Sequence, residues 1–301
     1  MSGKVAGKIA VVTGANSGIG YQTVKELNLQ GATVHMLCRS EERAREAISR
    51  LVKEGCAAGR LRFFPCDLSS FQSVRQCAGA ILEEVDHIDI LMNNAGIMIY
   101  PRYELTVDGH EMTWHSNHLG PFLLTQLLLP LVERAPSGRI VFLSSALHTH
   151  QSHPLDFSVI DKEEAWGRFA PYNRSKLANV MTARELSKRL SQRSGNKITV
   201  NSLHPGVVAT DLTRHIPLIG NTPLRKPFIR IFLKTEKQGA ATSLHLAMSP
   251  KVEGETGGYY SDSKKAKENK LALDEAACAA LYDYSMRTCG LSLSEPNVLR
   301  L

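Results

Sequence analysis

Six times along this chain a short apolar run rich in β-branched residues gives way to a stretch of helical hydrophobic period, and a seventh run closes the series. The runs are KIAVVTG (8–14), TVHMLC (33–38), LRFFPCD (61–67), IDILMNNAG (88–96), GRIVFLSS (138–145), KITVNSLHPG (197–206) and GGYYS (257–261). Parallel neighbours in a sheet need a crossover of a dozen or more residues, and a helix supplies it with a right-handed turn. The alternation therefore predicts an α/β fold, one doubly wound parallel sheet of about seven strands flanked by helices. No break in composition interrupts it, so residues 1–301 read as a single domain. Two stretches leave the rhythm, residues 146–169 and 212–235. Both follow carboxyl ends of strands, where open α/β sheets bind ligands, which makes them candidate substrate loops.

The first strand runs into VVTGANSGIG, placing Gly14, Gly18 and Gly20 at the mouth of the first helix. Glycine permits the tight turn and a close approach of backbone, and the helix start offers free N–H groups to a pyrophosphate. The spacing is GxxxGxG rather than GxGxxG. At the end of the second strand an NAD-selective site wants an acid for the ribose 2′-hydroxyl. Here the chain reads LCRS: Cys38 takes that place, with Arg39 and Ser40 after it. A cation there suits a 2′-phosphate, so NADP(H) is the expected cofactor.

PYNRSK sets Tyr172 and Lys176 four residues apart, on one face of a helix. A phenol titrates near 10, and a neighbouring cation favours the phenolate, so the pair suits acid/base work. Ser144 and Ser145 end a preceding strand, where a hydroxyl can hold a substrate oxygen. Asn117 falls in a helix interior, where an amide is unfavourable without a partner or a task.

Taken in order, TGxxxGxG (Thr13 to Gly20), NNAG (Asn93 to Gly96), the helical Asn117, Ser145, YxxxK and the HPG turn (His204 to Gly206) resemble the short-chain dehydrogenase/reductase family across residues 7–261. VVTGANSGIG, CRS, NHLGPFLLT, KLANV and GYYSD resemble its retinol dehydrogenase-like branch. The resemblance implies a Rossmann-type NAD(P)-binding domain and a reductase of hydrophobic aldehydes or ketones, such as retinaldehyde or other lipid carbonyls. It implies Tyr172 as proton donor, Lys176 lowering its pKa and holding the nicotinamide ribose, Ser145 on the substrate oxygen, and Asn117 supporting a proton relay. For the cofactor it implies Thr13, Gly14, Asn16, Ser17, Gly18, Ile19 and Gly20 at the glycine turn, with Arg39 and Ser40 at the 2′-phosphate. Asp67 and Leu68 would lie near the adenine, Asn94, Ala95 and Gly96 at a ribose, and Pro205, Gly206, Val208 and Thr210 around the nicotinamide. A homodimer or homotetramer is in keeping with the family. A nonenzymatic NADP-binding scaffold or redox-sensing partner is the alternative that the same fold allows.

Composition narrows the rest. The formal charge is +7, but basic residues are scattered among acids and no aromatic platform accompanies them, so nucleic acid is not an expected partner. The six cysteines form no CxxC pair, and His148, His150 and His153 have no acid or cysteine at ligand spacing, so no metal site is expected. The chain opens almost at its first strand with no signal-peptide or transmembrane pattern, which points to a cytoplasmic or peripherally membrane-associated protein. HIPLIGNTPLRKPFIRIFLK mixes apolar and basic residues, as a lid touching a hydrophobic ligand or an anionic membrane surface would.

Overall fold

In the computed structural model, residues 5–208 and 234–292 are described. Strands β1 (Ile9–Thr13), β2 (Thr33–Cys38) and β3 (Leu61–Pro65) alternate with α1 (Gly18–Leu29), α2 (Glu41–Lys53) and α3 (Phe71–Glu84). After β4 (Ile90–Asn93) come α4 (Met112–Trp114), a π-helical turn (His115–Leu119) and α5 (Gly120–Glu133), which run into one another without a break. β5 (Arg139–Leu143), α6 (Ala170–Ser191), β6 (Thr199–His204), α7 (Glu236–Met248) and β7 (Tyr259–Ser261) continue the alternation. A two-residue strand β8 (Lys264–Lys265) and helix α8 (Glu275–Thr288) follow.

The sheet order is β3-β2-β1-β4-β5-β6-β7-β8, parallel throughout except for the last pair. The chain winds outward from β1 to β3, returns beside β1 as β4, and then winds the other way. The reversal opens a crevice above the carboxyl ends of β1 and β4, where such sheets bind ligands. The expected strands are present and one more is added. Asp262 and Ser263 both take positive φ, 52° and 59°, which makes the tight hairpin that turns β8 back along β7.

The central strands β1, β2, β4, β5 and β6 are buried on both sides because both faces of the sheet are covered. One face packs against α3, α5, α6 and α8, around Trp114, Phe122, Phe142 and Leu281. The other packs against α1, α2 and α7, around Val12, Leu27, Met36 and Leu51. Helix α8 is tied to α6 by Lys188–Glu275 at 2.6 Å and Arg189–Asp283 at 2.9 Å. No helix among the described residues is long and apolar enough to cross a membrane.

Candidate active site at the carboxyl edge of the sheet

The glycine turn is built from strict packing. Gly14 and Gly18 hold positive φ, 62° and 57°, a region open to glycine at little cost. A Cβ on Gly20 would drive into the Gly14 carbonyl and the Asn94 amide. The next helix start, α2, is capped by Ser40, whose Oγ accepts the Arg43 N–H at 3.3 Å. At α1 the N-cap Ser17 makes no such side-chain bond, and no acid sits in the first turn. That helix start thus keeps open donors and its positive end, as a pyrophosphate site requires. The residues present therefore fit a dinucleotide.

Thr13 and Asn94 lock β1 to β4 at the switch point. Thr13 Oγ1 accepts the N–H groups of Asn94 and Ala95, both at 2.9 Å, while Asn94 Nδ2 donates to the Thr13 carbonyl at 2.8 Å. Asn94, expected at a ribose, spends its amide protons on the Thr13 and Gly14 carbonyls. Cys38 is buried beneath the glycine turn, its thiol pushed up to about 11 by burial, with the Ala15 and Asn16 N–H groups partly offsetting. Arg39 follows it into solvent, close enough to Tyr100 for its charge to act on that phenol. Asp67 folds its carboxylate onto Ser69, with N–H and Oγ donating at 3.0 and 2.6 Å, and the Leu68 carbonyl packs against Gly120.

Sequence reasoning passed over Arg43 and Arg50. With Asn16, Ser17, Gly18 and Tyr21 they line a cleft of about 810 Å³ on the outer side of the glycine turn. Arg50 donates to the Asn16 carbonyl at 3.3 Å and stacks over Tyr21 at 4.8 Å. A signal was available: Arg50 lies seven residues after Arg43, a spacing that puts both on one face of α2. Neither Ser145 nor Tyr172 lines this cleft.

On the other side of β4 the four expected catalytic side chains converge. Helix α6 carries Tyr172 and Lys176, both buried, and begins with Pro171 in its first turn. Ser145, just past β5, lies close enough to the Tyr172 hydroxyl to act on its pKa. Burial pushes the phenol up to about 12, and the Ser145 hydroxyl pulls it back. Burial also lowers the Lys176 ammonium to about 8. The expected pull of Lys176 on the phenol is not among the effects that set it: Nζ lies 5.6 Å from the ring centroid and donates to the Leu143 carbonyl at 3.0 Å. Ser144 is a support, its Oγ donating to the Lys176 carbonyl at 2.7 Å.

Asn117 lies in the π-helical turn, which widens the helix beside α6. Its Oδ1 accepts the Ile97 N–H at 2.8 Å, and Nδ2 donates to the Ile97 carbonyl at 2.9 Å and to Ser175 Oγ at 3.1 Å. Both amide protons are used, and the segment from Gly96 is held close to Lys176. A Cβ on Gly96 would lie 3.2 Å from Nζ and 3.3 Å from Asn117 Oδ1. Ile99 just beyond is held at φ 54°, a strained value for a β-branched residue.

The HPG turn places Gly206 at φ 89° with the Lys234 side chain laid across it, and Lys234 pairs with Asp262. Val208 bridges to Lys234, so the chain leaves and returns at one place above β6. Thr210 and residues 212–233 of the candidate loop 212–235 lie outside the described residues. The other loop, 146–169, is anchored: Tyr103 donates to the Asp161 carbonyl at 2.6 Å, and Arg174 to the Ala165 carbonyl at 3.1 Å. Trp166 is half-buried, and Phe169 stands 40% exposed at the start of α6. Among the described residues no group of three or more His, Cys, Asp or Glu side chains converges as a metal site.

A family model described as short chain dehydrogenase matches residues 8–218. Retinol dehydrogenase 14 of Mus musculus is 42% identical over 300 residues, covering 96% of this chain and 88% of the relative. A crystal structure of an uncharacterized protein from Mycobacterium paratuberculosis superposes with a TM-score of 0.76 at 28% identity, covering 97% of each chain. A short chain dehydrogenase from Escherichia coli CFT073 complexed with NADPH gives a TM-score of 0.67 at 25% identity, covering 88% of this chain and all of that one.

Proposed function

The chain belongs to the short-chain dehydrogenase family, and from that premise we propose that it uses NADP(H) to interconvert a hydrophobic carbonyl and its alcohol, with Tyr172 as the proton donor. It is an oxidoreductase of the CH–OH/C=O couple that takes a nicotinamide cofactor. Retinaldehyde and other lipid aldehydes or ketones are the proposed substrates, in keeping with the relatives' names. The observation that carries the reading is the convergence of Ser145, Tyr172, Lys176 and Asn117 beside an open helix start and glycine turn.

The glycine turn with the α1 start would hold the pyrophosphate, Arg39 the 2′-phosphate, and Lys176 the nicotinamide ribose. When bound, the reduced nicotinamide supplies a hydride. Ser145 and Tyr172 donate to the substrate oxygen together, which holds it in one place and stabilises the charge it gains. Tyr172 then gives up its proton to that oxygen. Its raised pKa keeps the phenol protonated in the resting enzyme, the form a donor needs at neutral pH. Lys176, still mostly charged below about 8, keeps a cation 5.6 Å from the phenol ring, beside the ribose it would hold. Asn117 holds the segment from Gly96 to Ile99 so that Lys176 keeps its place.

The test is turnover of purified enzyme with NADPH and with NADH against retinaldehyde, a medium-chain aldehyde, a steroid ketone and a quinone. Tyr172→Phe removes the transferable proton alone and lowers kcat by roughly 10²–10⁴-fold, the usual range for a positioned acid. A Tyr172→Phe enzyme that keeps most of its reductase activity overturns the assignment.

A further inference from the structure

Ser145 is held from behind. Its carbonyl oxygen accepts the His148 backbone N–H at 3.1 Å and meets His148 Nδ1 at 2.6 Å. A carbonyl can only accept, so Nδ1 carries the proton, and Nε2 keeps the lone pair that accepts the Asn269 N–H at 3.1 Å. The ring is wholly buried and packs against Tyr259 of β7, centroids 4.7 Å apart. Burial lowers its pKa, which keeps this neutral tautomer.

Asn269 completes the fastening. Its side-chain amide donates to the carbonyls of His148 at 2.9 Å and Gln151 at 2.7 Å, and its Oδ1 accepts the Leu271 N–H at 2.9 Å. The short 3₁₀ turn Ala146–His150 is thereby closed at its carboxyl end by a residue 121 positions away. At its amino end Ser145 Oγ accepts the Leu147 N–H at 3.2 Å, leaving the Ser145 proton to point toward Tyr172 or a substrate oxygen.

We infer that His148, braced by Asn269, is the positioning residue that aims the Ser145 hydroxyl at the reacting oxygen. The inference rests on the reading of Ser145 given above. Loss of the imidazole leaves the Ser145 carbonyl with one donor fewer and the Asn269 N–H without its acceptor, around a side chain that is wholly buried. The turn then relaxes and the hydroxyl wanders. A misplacement of about 1 Å in a reacting group costs on the order of 10²-fold in rate.

The experiment compares His148→Phe, which keeps a ring against Tyr259 but no nitrogen, with His148→Asn, which keeps a donor near the Nδ1 position. Each is assayed for NADPH turnover of the best carbonyl in the panel above, and for NADPH affinity by fluorescence titration. His148→Phe is expected to lower kcat by roughly 10–100-fold with NADPH affinity within about twofold of wild type, while His148→Asn recovers most of the loss. In a Ser145→Ala background, His148→Phe is expected to cost less than about twofold more, because the group it positions is gone. Effects of the two substitutions that multiply, or a His148→Phe enzyme of wild-type kcat, overturn the inference. Should His148→Phe fail to fold, Asn269→Ala keeps the backbone N–H and removes the brace, with a smaller loss of kcat and the same non-additivity expected. Activity that survives both Tyr172→Phe and Ser145→Ala would instead sink the functional reading itself.

Discussion

At the scale of single residues, the proposed preference for NADP(H) rests on Arg39. Cys38 stands where an acid would select NAD, but its buried thiol, raised to about 11, presents no charge to a ribose at neutral pH. Arg39 is solvent-exposed beside it. A hydrogen bond between charged partners contributes roughly 1.5–3 kcal/mol, or about 10–150-fold in binding. Arg39→Ala should therefore raise the KM for NADPH by about that factor and leave the KM for NADH within about twofold. Equal losses for both cofactors would show that Arg39 supports the turn and does not read the phosphate. Sequence alone shows little of what Asn94 and His148 touch at this scale. Asn94, which the family resemblance puts at a ribose, has its amide protons in the β1–β4 lock. His148 read as one of three loop histidines because its partners, Asn269 and Tyr259, lie more than a hundred residues on.

At the scale of elements, β1, β2, β4, β5 and β6 were legible because they are apolar runs buried on both faces, and α2 and α3 because their buried residues recur at helical spacing. The π-helical turn at His115–Leu119 was not, because Asn117 turns toward Ile97, a partner 20 residues away. The β7–β8 hairpin was hidden by its turn residues, Asp262 and Ser263, which lack the glycine or asparagine that usually marks two positive φ values. Helix α5 also depends on a contact that no periodicity reveals. Gly120 opens α5 against the Leu68 carbonyl, leaving no room for a Cβ. Glycine to alanine within a helix ordinarily stabilises by about 1 kcal/mol. Here the methyl would meet fixed backbone, and overpacking of that kind costs typically 1–3 kcal/mol. Gly120→Ala should lower the urea midpoint and, by shifting Leu68, weaken NADPH binding. A higher midpoint would show that α5 can move away from Leu68 freely.

For the whole molecule, the covering of both faces of the sheet leaves several histidines buried without charge. His35 on β2 stacks on Phe64, His115 in the π-helical turn bonds to Thr106, and His118 bonds to Ser285 of α8. Burial lowers their pKa values to about 4, 4 and 3. Unfolded, each would take a proton near pH 6.5. Between about pH 6.5 and 4 the unfolded chain thus binds more protons than the folded one, so stability falls as the pH drops across that window. With about 1.4 kcal/mol per unit, each histidine gives up about 2 kcal/mol by about pH 5. Three together rival the roughly 5–15 kcal/mol that holds an ordinary domain folded. The urea midpoint should accordingly drop steeply from pH 7 to about 5, and His118→Leu should flatten that slope by about one proton, because Leu cannot titrate and fits an apolar site. The Ser285 hydroxyl keeps its bond to the Leu281 carbonyl at 2.8 Å, so the substitution need not leave it unpaired. A midpoint that holds steady across this window would mean that these rings are protonated and accommodated in the folded protein.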